Sequence, residues 1–568
     1  MKKKKRVIDF TFSQIGAFAS LLVLAIWGVI VLGVNLVTVS GAMDIEITYF
    51  GTMVIMLCVL GLFYWKRFRW SYVYGIGLII FGFFGGLLLA AWNRIFYFSV
   101  SVYNLSIILF YIIAVVCTYF SYRSYQELTR LPTKKMLGGI SGTVLITVVV
   151  GAVLWSNFSL IYDHMFETNL QTIDDQLQNL PTLDDKIQYL MREGNIPSLV
   201  AGIVVNDSLV WSRGYGGASQ DTVYLIASIT KPFVATAVLQ LYERNLIDLD
   251  DDVNKHLPFT MRHPRYPDTA ITIRMLLSHR SGLAHYTNQY SGYVEADEIL
   301  DWLSANRGLS IVKHVPYPSF AEFLDGYLTP NGPYYSPSAW TVSEPGTAYF
   351  YSSPGYDILG YVVESVTNQP FVDYLQENIL NPLNMTGTGF SVSDSPNNQA
   401  IPRERVFGVL AKTNIELPLY DRNRIGGGGV RSTVPDLAQF LVAHMNHGQI
   451  NGFQLLKPET VELMHKSTVS FPPQSLTVGY GLGWMHLSNV TYEHHYFHGA
   501  QGHGGETWGF RCHMWFVEQE EGAYGVILMT NINTNFKLDS IYTQAMSLKL
   551  QDVLLQEASV MFLQTPQD

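Results

Sequence analysis

Five long apolar runs without a single charged residue occupy the front of this chain, at about 15–39, 48–65, 72–92, 98–120 and 136–160. Each is close to the ~20 residues that a helix needs to cross a bilayer. The first is too long for a signal-peptide core and four more follow it, which predicts retention rather than cleavage. Lys2, Lys3, Lys4, Lys5 and Arg6 precede the first run. Lys66, Arg67 and Arg69 fill the second loop, and Arg123, Arg130, Lys134 and Lys135 the fourth. The alternate loops hold only Arg94 with Asp44 and Glu46. The positive-inside rule then predicts a cytoplasmic N-terminus and, after five spans, an extracytoplasmic remainder. The runs contain Asn35 and Asn104 but no ionisable group, which favours an anchor over an ion pathway and leaves lipid or peptide binding open.

Charge divides the chain at the same place. Residues 1–162 carry 13 Lys+Arg against 4 Asp+Glu, and the remainder carries 23 against 42. The acidic remainder is a poor partner for nucleic acid, whose phosphates need clustered Lys and Arg. With 48% apolar residues the chain is not of the disordered class. It has three cysteines, Cys58, Cys117 and Cys512, of which only Cys512 follows the apolar runs. The acidic part therefore closes no internal disulfide and must rest on a sizeable core.

The expected organisation is a five-span transmembrane domain over 1–162, a polar stalk over 163–182 and a folded domain over 183–568. Within the last, Leu183, Ile187 and Leu190 recur at helical spacing before Gly194 and Pro197. Two strand-like runs, 199–205 and 209–211, flank an Asn206-Asp207 turn. Residues 232–243 read as a helix, 512–517 and 525–530 as strands, and 537–557 as a final amphipathic helix. Helices and antiparallel strands in separate blocks indicate an α+β domain.

Three short motifs could carry chemistry. In Ser228-Ile229-Thr230-Lys231 a lysine follows a serine by three residues, so on a helix the two share a face. Such a lysine can take the hydroxyl proton and make the serine a nucleophile. Ser310-Ile311-Val312-Lys313 matches the bare pattern too. Only Ser228 sits between a strand-like run, 222–226, and an apolar helix. In Tyr351-Ser352-Ser353 a phenol near a lysine can act as general base, although the aromatics there also read as packing. In His503-Gly504-Gly505, glycines admit a substrate close to the backbone, and the N–H groups there can stabilise an oxyanion. The competing reading is a metal site drawn from His494, His495, His498, His503 and Cys512. No His in the chain is followed by Glu, so the helical zinc-hydrolase signature is missing, and no metal or other cofactor is expected.

In this order and spacing the three motifs resemble the serine β-lactamase and penicillin-binding-protein-like hydrolases, in particular the branch of class C β-lactamases, D-alanyl-D-alanine carboxypeptidases and D-aminopeptidases. Further segments carry the resemblance: Glu193-Gly194-Asn195-Ile196-Pro197-Ser198, Ile226-Ala227-Ser228-Ile229-Thr230-Lys231-Pro232-Phe233 and Leu246-Ile247-Asp248-Leu249-Asp250-Asp251. So do Leu276-Leu277-Ser278-His279-Arg280-Ser281-Gly282-Leu283, Gly427-Gly428-Gly429-Val430-Arg431-Ser432-Thr433 and Tyr480-Gly481-Leu482-Gly483-Trp484. The resemblance runs from about Leu183 to Leu550. It implies an antiparallel sheet flanked by helices plus an all-helical lobe, behind the five-span bundle. It also implies Ser228 as acylated nucleophile, with Lys231 and Tyr351 as its proton-transfer partners and His503 where many relatives have Lys. Backbone N–H groups of Ser228 and Glu506 would form the oxyanion hole, and Ser353, Gly504 and Gly505 would contact substrate.

Ser353 stands where the family often has Asn, which argues against efficient β-lactam turnover. The stretch of about 284–344 reads as an insertion rich in Tyr and Phe, forming either an aromatic wall over the site or a mini-core of its own. The expected protein is a multi-pass cell-membrane serine hydrolase in contact with lipid. Its expected substrates are peptides containing D-residues, cationic and apolar ones among them, either cell-wall stem peptide or a peptide antibiotic; the latter would make it a resistance peptidase. A β-lactamase or esterase, or a sensor that is acylated without turnover, uses the same residues. The oligomeric state is left open.

Overall fold

The computed structural model describes residues 171–568 except 286–289, 291–296, 308–318, 396–397, 407–412, 424, 473–474, 489–490, 493–494, 534–536 and 566–568. Residues 171–179, read from sequence as stalk, are helical. Ile173 and Leu177 are buried there, at the i and i+4 spacing that gives a helix one covered face. This stretch belongs to a separate unit from the domain that begins at Leu180.

The fold class expected from sequence needs one correction. Among the described residues no helix is long and apolar enough to cross a membrane. The five apolar runs lie outside the described residues. The five-span bundle, the multi-pass location in the cell membrane and the lipid contact therefore rest on no described element, and the fold described is that of the domain of helices and antiparallel strands that follows the runs.

Its centre is an eight-stranded antiparallel sheet: β1 (Leu199–Val205), β2 (Ser208–Tyr215), β3 (Val469–Ser470), β4 (Thr477–Tyr480), β5 (Met485–Leu487), β6 (Gln501–Thr507), β7 (Phe510–Gln519) and β8 (Gly522–Thr530), in the order β2-β1-β8-β7-β6-β5-β4-β3. The N-terminal hairpin joins the C-terminal meander through β1 and β8, with Leu199 opposite Thr530 and Val205 opposite Tyr524. Every residue of β1 is buried, as its uninterrupted apolar sequence requires. Its turn into β2 uses Asn206 at φ +52°, a conformation that Asn tolerates.

Six helices matter for the site: α1 (Leu183–Gly194), α2 (Thr230–Glu243), α3 (Phe320–Leu328), α4 (Ser353–Thr367), α5 (Val434–Met445) and α6 (Lys537–Gln564). Thr182 caps α1 by accepting from the Asp185 N–H, and Asn195 ends it at φ +48°. In α2 every residue from Thr230 to Leu241 is buried, so it has no solvent face and lies inside the molecule. The sheet is covered on both faces. His513 and Trp515 of β7 bond to Ser547 and Gln551 of α6, at 2.9 and 2.8 Å. The alternate residues Cys512, Met514 and Phe516 point to the opposite face, because successive strand side chains alternate. A Cβ on Gly525, the partner of Phe516, would lie 2.9 Å from Leu441 of α5.

The buried aromatics described in the insertion pack as a mini-core. Tyr290, Phe320, Phe323, Tyr327 and Trp340 are all buried. Tyr290, Phe323 and Tyr327 pack ring on ring at 5.3 to 5.6 Å, and the Trp340 Nε1–H donates to Leu328 O at 3.3 Å. Tyr286, Tyr293 and Tyr317 lie outside the described residues.

Candidate active site

Ser228 occupies a single helical turn, Ala227–Ile229, that runs into α2. Ala227 has φ +49°, a left-handed backbone that costs an L-residue roughly 1 kcal/mol or more and collects at functional turns. The turn is tied to the glycine run beside it by the Val430 N–H, which donates to Thr230 Oγ1 at 3.1 Å. Lys231 follows in the first turn of α2 and is fully buried. Its Nζ lies 2.9 Å from Ser228 Oγ, 3.1 Å from Ser353 Oγ and 2.8 Å from Gly427 O. Burial first, and then the nearby Arg422 guanidinium, push this amine well below its ordinary range, while Asp357 opposes them. Ser310 and Lys313, the rival pair, lie outside the described residues.

The Tyr351 loop enters α4. Ser352 caps that helix by accepting from the Gly355 N–H, with Pro354 in the first turn. The Tyr351 ring centroid lies 4.9 Å from Lys231 Nζ. Ser353 is buried, and its hydroxyl faces the lysine rather than open space.

A directed hydrogen-bond chain backs this loop. The Ser352 N–H donates to His279 Nδ1 at 3.1 Å, so that nitrogen carries no proton. Burial above all holds the His279 imidazole neutral by pushing its pKa well down. Its one proton is therefore on Nε2, which donates to Tyr480 Oη at 3.1 Å. Burial drives the Tyr480 phenol well up, so it keeps its proton and donates to His503 Nε2 at 3.2 Å. His503 is itself pushed down to about 3 by burial and by Lys231. Its proton sits on Nδ1 and is given to Gly504 O at 2.6 Å. His503 is thus a buried neutral group with both nitrogens engaged, not a cation aimed at a substrate.

β6 closes the site. A Cβ on Gly505 would fall 2.0 Å from Ile226 O and 3.2 Å from the Ser228 N, so only glycine lets the strand lie against the Ser228 turn. β5 pairs with Gln501 and Gly502 alone, which leaves the outer edge of β6 without a strand partner from His503 onward among the described residues. The Glu506 side chain is exposed and its carboxylate accepts from Arg511 at 3.2 Å.

Among the described residues no group of three or more His, Cys, Asp or Glu is arranged to hold a metal ion. His494 lies outside them, and the Cys512 thiol is buried 3.8 Å from Leu225 O. His279, His285, Asp357 and Arg422 around Lys231, and Tyr480 behind them, were not singled out by sequence reasoning. His279 and Tyr480 fall within segments already noted for their resemblance, and that was the available signal.

The sequence model of the Beta-lactamase family matches residues 183–549. Among curated proteins the chain is similar to Protein flp of Staphylococcus aureus, 24% identical over 363 residues, 62% of each chain. It is also similar to Esterase EstB of Burkholderia gladioli, 28% identical over 374 residues, 60% of this chain and 87% of that one. The chain thus spans about 62% of the length of its Staphylococcus aureus relative. Among solved structures, a D-stereospecific amidohydrolase from Streptomyces sp. matches at 25% identity over 64% of this chain and 98% of that one, with a TM-score of 0.46.

Proposed function

The chain belongs to the Beta-lactamase family, and from that premise we propose that it is a serine hydrolase acting through an acyl-enzyme on Ser228. One observation carries the reading: a buried lysine amine, depressed in pKa, that touches the Ser228 hydroxyl and two other oxygens at once.

A neutral amine has two N–H donors and one lone pair. Gly427 O can only accept, so it takes one N–H. Ser353 Oγ takes the second. The lone pair is then left for the Ser228 Oγ–H, the orientation a general base needs. Ser228 Oγ attacks the acyl carbon while its proton passes to Lys231. The N–H groups of Ser228 and Glu506 hold the oxyanion. As the tetrahedral intermediate collapses, Tyr351 passes a proton to the leaving group and takes the one held by Lys231 in its place. Water then enters, gives a proton to the same base system as it attacks the acyl carbon, and that proton returns to Ser228 Oγ as the acid leaves. His503 orients β6 through Gly504, and Gly504 and Gly505 let the substrate lie along the strand. The catalytic unit in this reading is 183–568, including the insertion at about 284–344.

For substrate, the reading is an amide bond in a D-residue-containing peptide, a cell-wall stem peptide or a peptide antibiotic. The open edge of β6 supports it, since an extended peptide can add its own N–H and C=O groups there. The net negative charge after residue 162 would steer cationic peptides toward the domain. A second reading, a carboxylic ester, is favoured by the similarity to Esterase EstB.

The test is product analysis by mass spectrometry on the full chain and its Ser228→Ala variant. The panel holds matched L- and D-residue peptides, a D-Ala-D-Ala stem peptide, aryl esters and a chromogenic β-lactam. Ser228-dependent cleavage beside D-residues establishes the peptidase. Ester cleavage alone selects the second reading. A Ser228 adduct that accumulates without product makes the protein an acylated sensor, and activity surviving Ser228→Ala removes the assignment.

A further inference from the structure

Among the described aromatics of the insertion, one reaches a buried carboxylate outside it. Tyr290 is fully buried, with its ring against Phe323 and Tyr327. Its phenol donates to Asp357 Oδ2 at 3.0 Å. Asp357 lies on α4 and is fully buried, and its other oxygen accepts from the Gly427 N–H at 2.7 Å. Gly427 is therefore held at both ends, its N–H by Asp357 and its carbonyl by Lys231 Nζ. The same Nζ meets Ser228 Oγ. The insertion is connected to the nucleophile by four hydrogen bonds in series.

We propose that Tyr290 and Asp357 are positioning residues for the active-site lysine, and that the insertion serves the reaction by fixing Asp357 rather than by contacting substrate. This rests on the serine-hydrolase reading above. The argument is geometric first. Without the Gly427 carbonyl in place, one lysine N–H loses its partner and the lone pair is no longer confined to the Ser228 hydroxyl. A carboxylate with one oxygen on a backbone N–H and the other on a phenol cannot rotate without breaking one of two bonds. A phenol gripped by its own mini-core supplies the second anchor.

Charge acts in the same place. The groups around the Lys231 amine that titrate or carry charge are Arg422, His279, His285, His503, the phenols of Tyr351 and Tyr356, and Asp357. Arg422 opposes the ammonium form, the buried imidazoles are neutral, and Asp357 alone carries a charge that favours it. The hydrogen bond from Tyr290 damps that charge. Loss of the carboxylate and loss of the phenol therefore act on the lysine in opposite directions.

The experiment measures Ser228-dependent hydrolysis of p-nitrophenyl butyrate by the full chain, Asp357→Asn and Tyr290→Phe across about pH 5 to 9. In wild type, kcat/KM rises with pH as Lys231 loses its proton. In Asp357→Asn this limb should move to lower pH by about one unit. In Tyr290→Phe it should move to higher pH by a few tenths of a unit. Plateau kcat of Tyr290→Phe should fall about tenfold with KM within about twofold, the size of one lost hydrogen bond to a charged group. Limbs that stay with wild type in folded variants overturn the proposal. So does activity lost only in proportion to folded protein, which is what packing alone predicts. If Asp357→Asn does not fold, Tyr290→Phe carries the test, since it removes one oxygen from a ring that stays packed. Hydrolysis that survives Ser228→Ala overturns the serine-hydrolase reading and this proposal with it. Ser228-dependent hydrolysis with unmoved limbs overturns this proposal alone.

Discussion

Two buried histidine clusters share one chemistry and differ in where they lead. Beside the site, the chain His279–Tyr480–His503 begins at the peptide N–H next to Tyr351 and ends on the carbonyl of Gly504. Away from it, His465 Nε2 meets His444 Nδ1 at 3.2 Å, and His444 Nε2 meets Thr236 Oγ1 at 3.3 Å. Thr236 gives its own proton to Pro232 O, so it accepts from His444, and the run stops on a carbonyl of α2. The Trp484 ring covers both imidazoles at centroid distances of 4.8 and 4.5 Å. Burial pushes His444 down to about 3 and His465 well down too. Perturbed imidazoles are therefore common in this domain and mark no function by themselves. What separates the clusters is connection: one joins the Tyr351 loop to β6, the other joins three helices, Pro458–His465, α5 and α2.

Substitutions can break or sharpen that contrast. The largest effect belongs to the group the first cluster serves. Ser228→Ala should lower kcat/KM by at least about 10³-fold with an unchanged thermal midpoint, by steady-state kinetics and calorimetry. Next, Tyr480→Phe leaves His503 Nε2 buried without a donor. A cost of ~1–3 kcal/mol is expected, read mainly as a ten- to hundredfold fall in kcat/KM, roughly. In the second cluster, His465→Leu should instead lower stability by about 2 kcal/mol, with kcat/KM per folded molecule within about twofold. If His465→Leu impaired turnover as Tyr480→Phe does, the contrast would collapse.

Acid sharpens the comparison from the side the clusters share. His444 and His503 have folded pKa values near 3, below the ~6.5 of the unfolded chain. Their contribution is present above about pH 6.5 and is lost as pH falls toward 3, because the unfolded chain binds protons that the folded one does not. The unfolding free energy from urea titrations at descending pH should fall by roughly 1.4 kcal/mol per pH unit for each such histidine. Replacing His444 by Leu should flatten that slope by one proton's share while leaving the pH profile of turnover in place. The smallest effect is expected at Glu506→Gln. Its side chain is exposed and only its backbone N–H has a part in the reading, so kcat/KM should stay within about threefold.

Much of the domain was legible because its signals are local. The unbroken apolar run of β1, the Asn206 turn and the apolar sequence of α2 each specify their element from neighbouring residues. Ser228 and Lys231 were legible for the same reason, since i to i+3 spacing on a helix places them together. What stayed hidden depends on distant packing. Nothing near Tyr290 says that its phenol meets Asp357, 67 residues on. Nothing in His503-Gly504-Gly505 says that the imidazole is neutral, because that follows from its burial and from Tyr480 on another strand. The aromatics of 284–344 were open to two readings, since composition gives their number and not their direction. The five apolar runs lie outside the described residues, so their strong local signal meets no described helix.

The contact between Gly505 and Ile226 O has a consequence for how such a protein can diverge. At Gly505 the strand and the Ser228 turn meet main chain to main chain, since an added Cβ would fall 2.0 Å from Ile226 O. Side chains placed at that position can therefore not adjust the contact by degrees. Inheritable variation in the geometry beside Ser228 must therefore enter through residues other than Gly505.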